Sequence, residues 1–233
     1  MLGFELASDG LRRSFDSSSI NQRKELKKMA KRALNIRDIQ DYKPTVLDFT
    51  GEWLEAVGRP ELTGSWILWG NSSNGKTSLA LQIAKYMAQF ARVDYNSLEE
   101  GLSLSMQQAI AQVGMSDIGS GFYLLDKEPI KEMLKRLRKR RSASVIIIDS
   151  LQYAGITYME YKQLITEFRN KLFIFVSHAD GAHPKGNVAK SIRYDANVKM
   201  FVQSFHTIPQ SRYGGGEPYI IWQKGYEDFV EFK

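Results

Sequence analysis

Residues 70 to 77 read Gly70-Asn71-Ser72-Ser73-Asn74-Gly75-Lys76-Thr77, the spacing G-x-x-x-x-G-K-[ST]. Glycine at both ends of the run lets successive backbone N–H groups turn toward one point. A helix opening at Lys76 adds its own free N–H groups and the positive end of its dipole to the same concavity. Such a nest binds phosphate. Lys76 is placed to reach the β- and γ-phosphates of a nucleoside triphosphate, and the Thr77 hydroxyl to hold Mg²⁺. With Ser78, the stretch from Gly70 forms the candidate nucleotide-binding segment.

A metal at that point needs a second acid. Val145-Ile146-Ile147-Ile148-Asp149 supplies one, a carboxylate closing an apolar strand. Ligands of open α/β sheets bind at that strand edge, so Asp149 is the candidate Mg²⁺ acid, acting through the metal's water shell. Hydrolysis also needs a carboxylate to orient and polarise water. Glu99 and Glu100 stand just beyond another strand, in Val93-Asp94-Tyr95-Asn96-Ser97-Leu98-Glu99-Glu100.

The elements that must position these groups alternate strand and helix from residue 65 onward, as in a mostly parallel sheet covered on both faces. Strands are predicted at Ser65 to Trp69, Arg92 to Asn96, Phe122 to Leu125, Ser144 to Ile148, Leu172 to Ser177, Val198 to Phe205 and Pro218 to Trp222. Helices are predicted at Lys76 to Phe90, Leu104 to Val113 and Pro129 to about Arg140. Another is capped by Thr157 and Glu160, with an apolar stripe of Tyr161, Leu164, Ile165 and Phe168. The first fifty residues differ. A serine-rich lead-in precedes a helix starting at Ser19, apolar at Leu26, Met29, Ala30, Ala33 and Leu34 and basic on its other face. The division expected is a basic helical extension over 1–50 and a nucleotide-binding α/β domain over 51–233.

Taken together, the strand leading to Ser97-Leu98-Glu99 and the strand ending in Asp149-Ser150-Leu151-Gln152 resemble the RecA-like superfamily of P-loop ATPases. The order of motifs is most similar to the cores of bacterial replicative hexameric helicases and of DNA-repair ATPases. The resemblance covers roughly residues 60 to 225 and implies a RecA-like P-loop core: α/β, a mostly parallel sheet sandwiched by helices, with C-terminal antiparallel strands. Beside it stands the short N-terminal helical arm; a helicase collar domain and a RecA C-terminal domain are not expected. The resemblance implies that Glu99 is the catalytic base. It also implies that His178, ending Phe173-Ile174-Phe175-Val176-Ser177-His178, senses the γ-phosphate where glutamine is more usual. Gln210-Ser211-Arg212-Tyr213-Gly214 resembles the turn whose arginine reaches the neighbouring subunit's nucleotide, so Arg212 is the candidate finger in trans. Gln210 stands where the family usually has lysine, and one of two cations is therefore missing.

The same resemblance implies DNA-facing loops at Gln152 to Ile156 and Ala179 to Ala189, the second polar and basic and suited to phosphate contacts. Lys185, Lys190 and Arg193 are the candidate DNA contacts, and Tyr153 and Tyr194 are candidates for stacking on bases. Lys131 to Arg141 holds seven basic residues against Glu132. Such a run makes a solvated helix face or an electrostatic track for a strand. The expected function is an ATPase using Mg²⁺ in DNA recombination, repair or replication. It would bind or anneal single-stranded DNA and self-assemble into a ring or filament. The alternatives are a minimal helicase motor or loader, and an ATP-gated switch that binds protein and no nucleic acid.

Composition is compatible with all of these. The 233 residues carry a net charge of +6, which permits an anionic partner. With no cysteine, disulfides and thiolate metal sites are excluded. The apolar runs are too short to cross a bilayer, no apolar leader opens the chain, and a cytoplasmic location is expected.

Overall fold

The computed structural model describes residues 33–231. The serine-rich lead-in and the basic helix expected from Ser19 lie outside these residues, apart from Ala33 and Leu34. The chain divides into two units after Pro44, so the compact body begins at Thr45, ahead of residue 51.

Within 33–44 a single helix, α1 (Ile36–Asp41), is held by a reciprocal cap. The Asp38 N–H donates to Asn35 Oδ1, and the Asn35 N–H donates to Asp38 Oδ2, each at 2.9 Å. None of its residues is buried, and Leu34, Ile36, Ile39 and Tyr42 are exposed.

In the body, α2 (Gly51–Val57) precedes β1 (Gly64–Gly70), α3 (Lys76–Met87), β2 (Val93–Ser97) and α4 (Leu104–Val113). Next come β3 (Phe122–Asp126), α5 (Ile130–Leu137), β4 (Val145–Asp149), a single turn α6 (Leu151–Ala154), α7 (Tyr158–Glu167) and β5 (Leu172–Asp180). The chain then forms β6 (His183–Pro184), α8 (Asn187–Asp195), β7 (Val198–Gln203), β8 (His206–Thr207), β9 (Gln210–Ser211), β10 (Tyr219–Ile220) and α9 (Gln223–Glu231). The sheet order is β10-β8-β7-β1-β5-β4-β2-β3, with β6 on β5 and β9 on β7. From β3 to β7 every neighbouring pair is parallel, whereas β8 and β9 run antiparallel to β7, and β10 antiparallel to β8.

Helices cover both faces, and the strands' two-residue period divides the core accordingly. Trp66 and Leu68 of β1 pack with Leu79, Ile83 and Met87 of α3 and Met106 of α4. Ile67 and Trp69 pack with Met133 of α5, Tyr161 and Leu164 of α7 and Ile192 of α8. Burial on both faces is why the central strands are unbroken apolar runs rather than alternating ones. Each fully buried Ile, Leu or Val there contributes about 1.5–3 kcal/mol.

Several expected boundaries move. Residues 198–205 read as one strand by sequence, but β7 stops at Gln203 and a tight turn reverses it into β8. The polar stretch 179–189, expected as one loop, is a β5–β6 hairpin followed by the first turn of α8. Pro129 caps α5 from outside, and α5 ends at Leu137. Along that basic run Lys135 pairs with Glu132, Arg136 with Glu128 and Arg138 with Glu167, so three of its seven positive charges are locally paired.

One buried polar contact ties α7 to β1: Ser65 Oγ and Tyr161 Oη lie 3.0 Å apart, and burial pushes the Tyr161 phenol up to about 12. Tyr161→Phe should leave the Ser65 hydroxyl without its partner and lower unfolding free energy by about 1–3 kcal/mol. Urea denaturation reads this directly; an unchanged midpoint would mean that the contact contributes nothing net.

Candidate functional site

β1 ends at Gly70, and the run to Thr77 bridges it to α3. The two glycines are required for different reasons. A Cβ on Gly70 would come 2.3 Å from the Val202 carbonyl oxygen, because β7 passes directly beside it. Gly75 caps α3 with φ of +94°, the left-handed region that side chains disfavour. Asn74 folds the run on itself, its Nδ2 donating to the Ser72 carbonyl at 2.9 Å. Lys76 Nζ donates to the Asn71 carbonyl at 2.7 Å. Burial lowers the Lys76 ammonium's pKa, and the charges of Asp149 and Glu99 oppose that shift.

The run forms one wall of a cavity of about 540 Å³, large enough for a nucleotide. Gly70 to Ser73, Gly75 to Ser78, Glu99, Glu100, Asp149, His178, Ala179, Lys185 and Phe205 line it. Parallel register is what brings them there: Gly70 sits level with His178, and Ser97 with Asp149.

Asp149 is buried, and Tyr95 Oη donates to its Oδ2 at 2.5 Å. Burial, with Glu99 and Glu100 nearby, pushes the Asp149 carboxyl up to about 6; the Tyr95 hydrogen bond and Lys76 act the other way. A buried carboxylate short of positive charge, sharing a cavity with the Thr77 hydroxyl, is a donor set suited to a hard cation completed by water and phosphate oxygens. Among the described residues there is no cluster of three or more acidic or histidine side chains that would make an all-protein cage. The residues therefore fit Mg²⁺ bound together with a nucleotide.

The two neighbouring glutamates part company. Glu100 accepts from Ser105 Oγ at 2.6 Å, at the start of α4. Glu99 turns inward, its Oε2 3.1 Å from Ser150 Oγ and 3.0 Å from His178 Nε2. His178 is in turn tied to two loops. Its N–H donates to Gln152 Oε1 at 3.1 Å, its carbonyl accepts from the Lys185 N–H at 2.8 Å, and Gln152 Nε2 donates to the Lys185 carbonyl at 3.0 Å. By sequence Gln152 only opens a candidate DNA-facing loop. Its bridging role was not legible there, since it joins segments far apart along the chain.

The other candidate residues do not all share the cavity. Lys185 belongs to the cavity wall. Lys190 is exposed on α8, whereas the Arg193 guanidinium lies 4.9 Å above the Trp69 ring and 2.9 Å from His183 Nδ1. Arg212 is exposed next to β9, which pairs with the first residues of β7, while the phosphate loop meets β7 at Val202. That separation is four strand residues, about 13 Å, so Arg212 does not join its own chain's cavity. The lysine missing at Gln210 has a neighbour across the strand: Lys199 pairs with Gln210, and its ammonium is held down by burial and by the charges of Arg212 and Arg193.

Similar folds occur among solved structures. A KaiC-like protein from the hyperthermophilic archaeon Pyrococcus horikoshii OT3 superimposes with a TM-score of 0.56 over 72% of this chain and 90% of its own, at 15% identity. The fold is RecA-like, a mostly parallel sheet between helices with antiparallel strands at its C-terminal end. A second solved structure, an isolated ATPase domain, aligns over 70% of this chain and 83% of its own at 15% identity, with a TM-score of 0.49. No protein-family model matches the sequence, and no curated protein matches it either. Among the described residues, no helix is long and apolar enough to cross a membrane.

Tyr95→Phe should raise the Mg²⁺ concentration needed for half-maximal nucleotide binding by about 10-fold or more, because the hydrogen bond that orients Asp149 is lost. Mg²⁺ titration with a fluorescent nucleotide checks this; an unshifted curve would remove Asp149 from the metal.

Proposed function

We propose that this chain binds Mg-ATP and hydrolyses it, and that hydrolysis drives a DNA transaction in recombination, repair or replication. The observation that carries the hydrolytic part is the placement of the Glu99 carboxylate, within 3.1 Å of Ser150 and His178 in the cavity that the phosphate loop and Asp149 also line. In this reading the N–H groups of Gly70 to Ser78 and the Lys76 ammonium hold the phosphates, and Thr77 and Asp149 hold the metal. Mg²⁺, when bound, neutralises charge on the β- and γ-phosphate oxygens. Glu99 orients the attacking water and takes its proton, with Ser150 and His178 fixing the carboxylate's direction. Glu100 turns to Ser105 at the start of α4, whereas Glu99 turns toward Ser150 and His178, and this reading therefore takes Glu99 as the base.

His178 gives the γ-phosphate a mechanical outlet. A hydrogen bond from His178 to phosphate would compete with its bond to Glu99. Any shift of the histidine backbone would pass through Gln152 to the β5–β6 hairpin around Lys185. Tyr153, exposed beside His178, and Lys190 and Tyr194 on α8 offer stacking and charge for single-stranded DNA. Arg212, with Lys199 at its side, acts on the nucleotide of an adjacent subunit in a ring or filament; its distance from its own cavity fits that role. A second reading, an ATP-gated switch that binds protein, draws on the exposed apolar side chains around α1.

Glu99→Gln should retain nucleotide binding and lose at least about 100-fold in turnover. Wild-type turnover by that variant would sink the base assignment. Turnover of the wild type should rise with single-stranded DNA and fall back as salt is added; indifference to every nucleic acid would favour the protein switch. Arg212→Ala should lower turnover at high protein concentration without weakening nucleotide binding by the dilute protein. An unchanged rate in that comparison would exclude action in trans.

A further inference from the structure

The turn joining β7 to β8 has only two residues, Ser204 and Phe205, both with positive φ, +49° and +58°. Hairpin turns with that backbone are normally filled by Asn-Gly or Asp-Gly, and an aromatic residue is unfavourable there. The surroundings hold it in place. The Ser204 N–H donates to Asn74 Oδ1 at 2.7 Å, which fastens the turn to the phosphate loop. The Phe205 carbonyl accepts from the Ile221 N–H at 2.7 Å. The Phe205 ring meets the Trp222 indole at right angles, with centroids 4.9 Å apart. Gly225 leaves space under both rings, since a Cβ there would come within 2.6 Å of Phe205 and 2.3 Å of Trp222. On the loop side, Phe205 Cδ1 lies 3.2 Å from where a Cβ on Gly75 would be. Half-buried and braced from below, the ring is part of the cavity wall.

Sheet order gives that position a meaning. Glu99, Asp149 and His178 come from the β2, β4 and β5 side of β1, where the terminal phosphate must lie if they act on it. Phe205 comes from the β7 side, the opposite flank of the same loop. We propose that Phe205 is a nucleobase platform: the base of the bound nucleoside triphosphate stacks on its ring, while the phosphates occupy the Gly70–Ser78 nest. This rests on the nucleotide-binding reading and adds to it the seat of the base. Stacking on a π face is tolerant of base identity, so the platform recognises a nucleobase as a class.

The test compares Mg-ATP with Mg-tripolyphosphate, which has the phosphates and no base, by titration calorimetry on the whole chain. Phe205→Gly suits the backbone of the turn, and its thermal melting point should match the wild type's within a few degrees. The variant should bind ATP about 10-fold or more weakly and bind tripolyphosphate as the wild type does, and Phe205→Trp should restore ATP affinity. Equal loss of both ligands would overturn the proposal, since Phe205 would then act by shaping the loop. So would equal affinity of the wild type for ATP and tripolyphosphate, which leaves the phosphate site intact but removes the base subsite. Lys76→Ala separates the two levels: if it binds both ligands as tightly as the wild type, the phosphate-loop reading fails, whatever Phe205 does.

Discussion

The strands β3, β2, β4, β5, β1 and β7 run the same way, and the edge at which they end is the constraint on which the rest of the structure depends. Parallel hydrogen bonding sets neighbouring strands in a definite register, and here that register brings Gly70 level with His178 and Ser97 level with Asp149. A glycine-bounded turn, a buried carboxylate and a glutamate–histidine pair therefore meet in one cavity, although they are spread over more than a hundred residues of chain. A parallel sheet must be covered on both faces, and the two apolar clusters do this with alternate residues of the same strands. The core and the site are thus consequences of a single arrangement.

Charge in the cavity is left poorly compensated by the protein alone. Asp149 is held up by burial and by two nearby glutamates, while Lys76 is held down by its own burial. A divalent cation lying between phosphates and Asp149 would relieve the first, and phosphate would relieve the second. Groups in that condition mark a place suited to a charged ligand. The β7 side of the loop is different in kind, being aromatic and braced by α9.

The network from Glu99 through His178 and Gln152 to Lys185 links the cavity to the two chain segments that follow β4 and β5. Its members belong to separate segments: the turn after β2, the single-turn α6, β5 and the residue after β6. Arg212 and Lys199 stand at the far end of β7, outside this network and outside the cavity. The sheet thus has a cavity at one end and a pair of neighbouring cations toward the other.

The glycine-bounded turn before α3, the carboxylate that closes β4 and the alternation of strand and helix were legible along the chain, because each depends on residues close together in sequence. Glycine spacing dictates a backbone nest, a run of apolar β-branched residues dictates a doubly buried strand, and Thr157 with Glu160 makes a reciprocal cap that the structure contains. The short strands β6, β8 and β9 carry too few residues for any period to show. The end of β7 at Gln203 was hidden because neither Ser204 nor Phe205 is a type favoured at positive φ; the bond to Asn74 and packing on Trp222 hold the turn in place. Which glutamate turns inward, which residue bridges His178 to the hairpin, and which lysine stands beside Arg212 were likewise decided only in three dimensions. Each depends on contacts between segments whose distance along the chain carries no signal of their proximity in space.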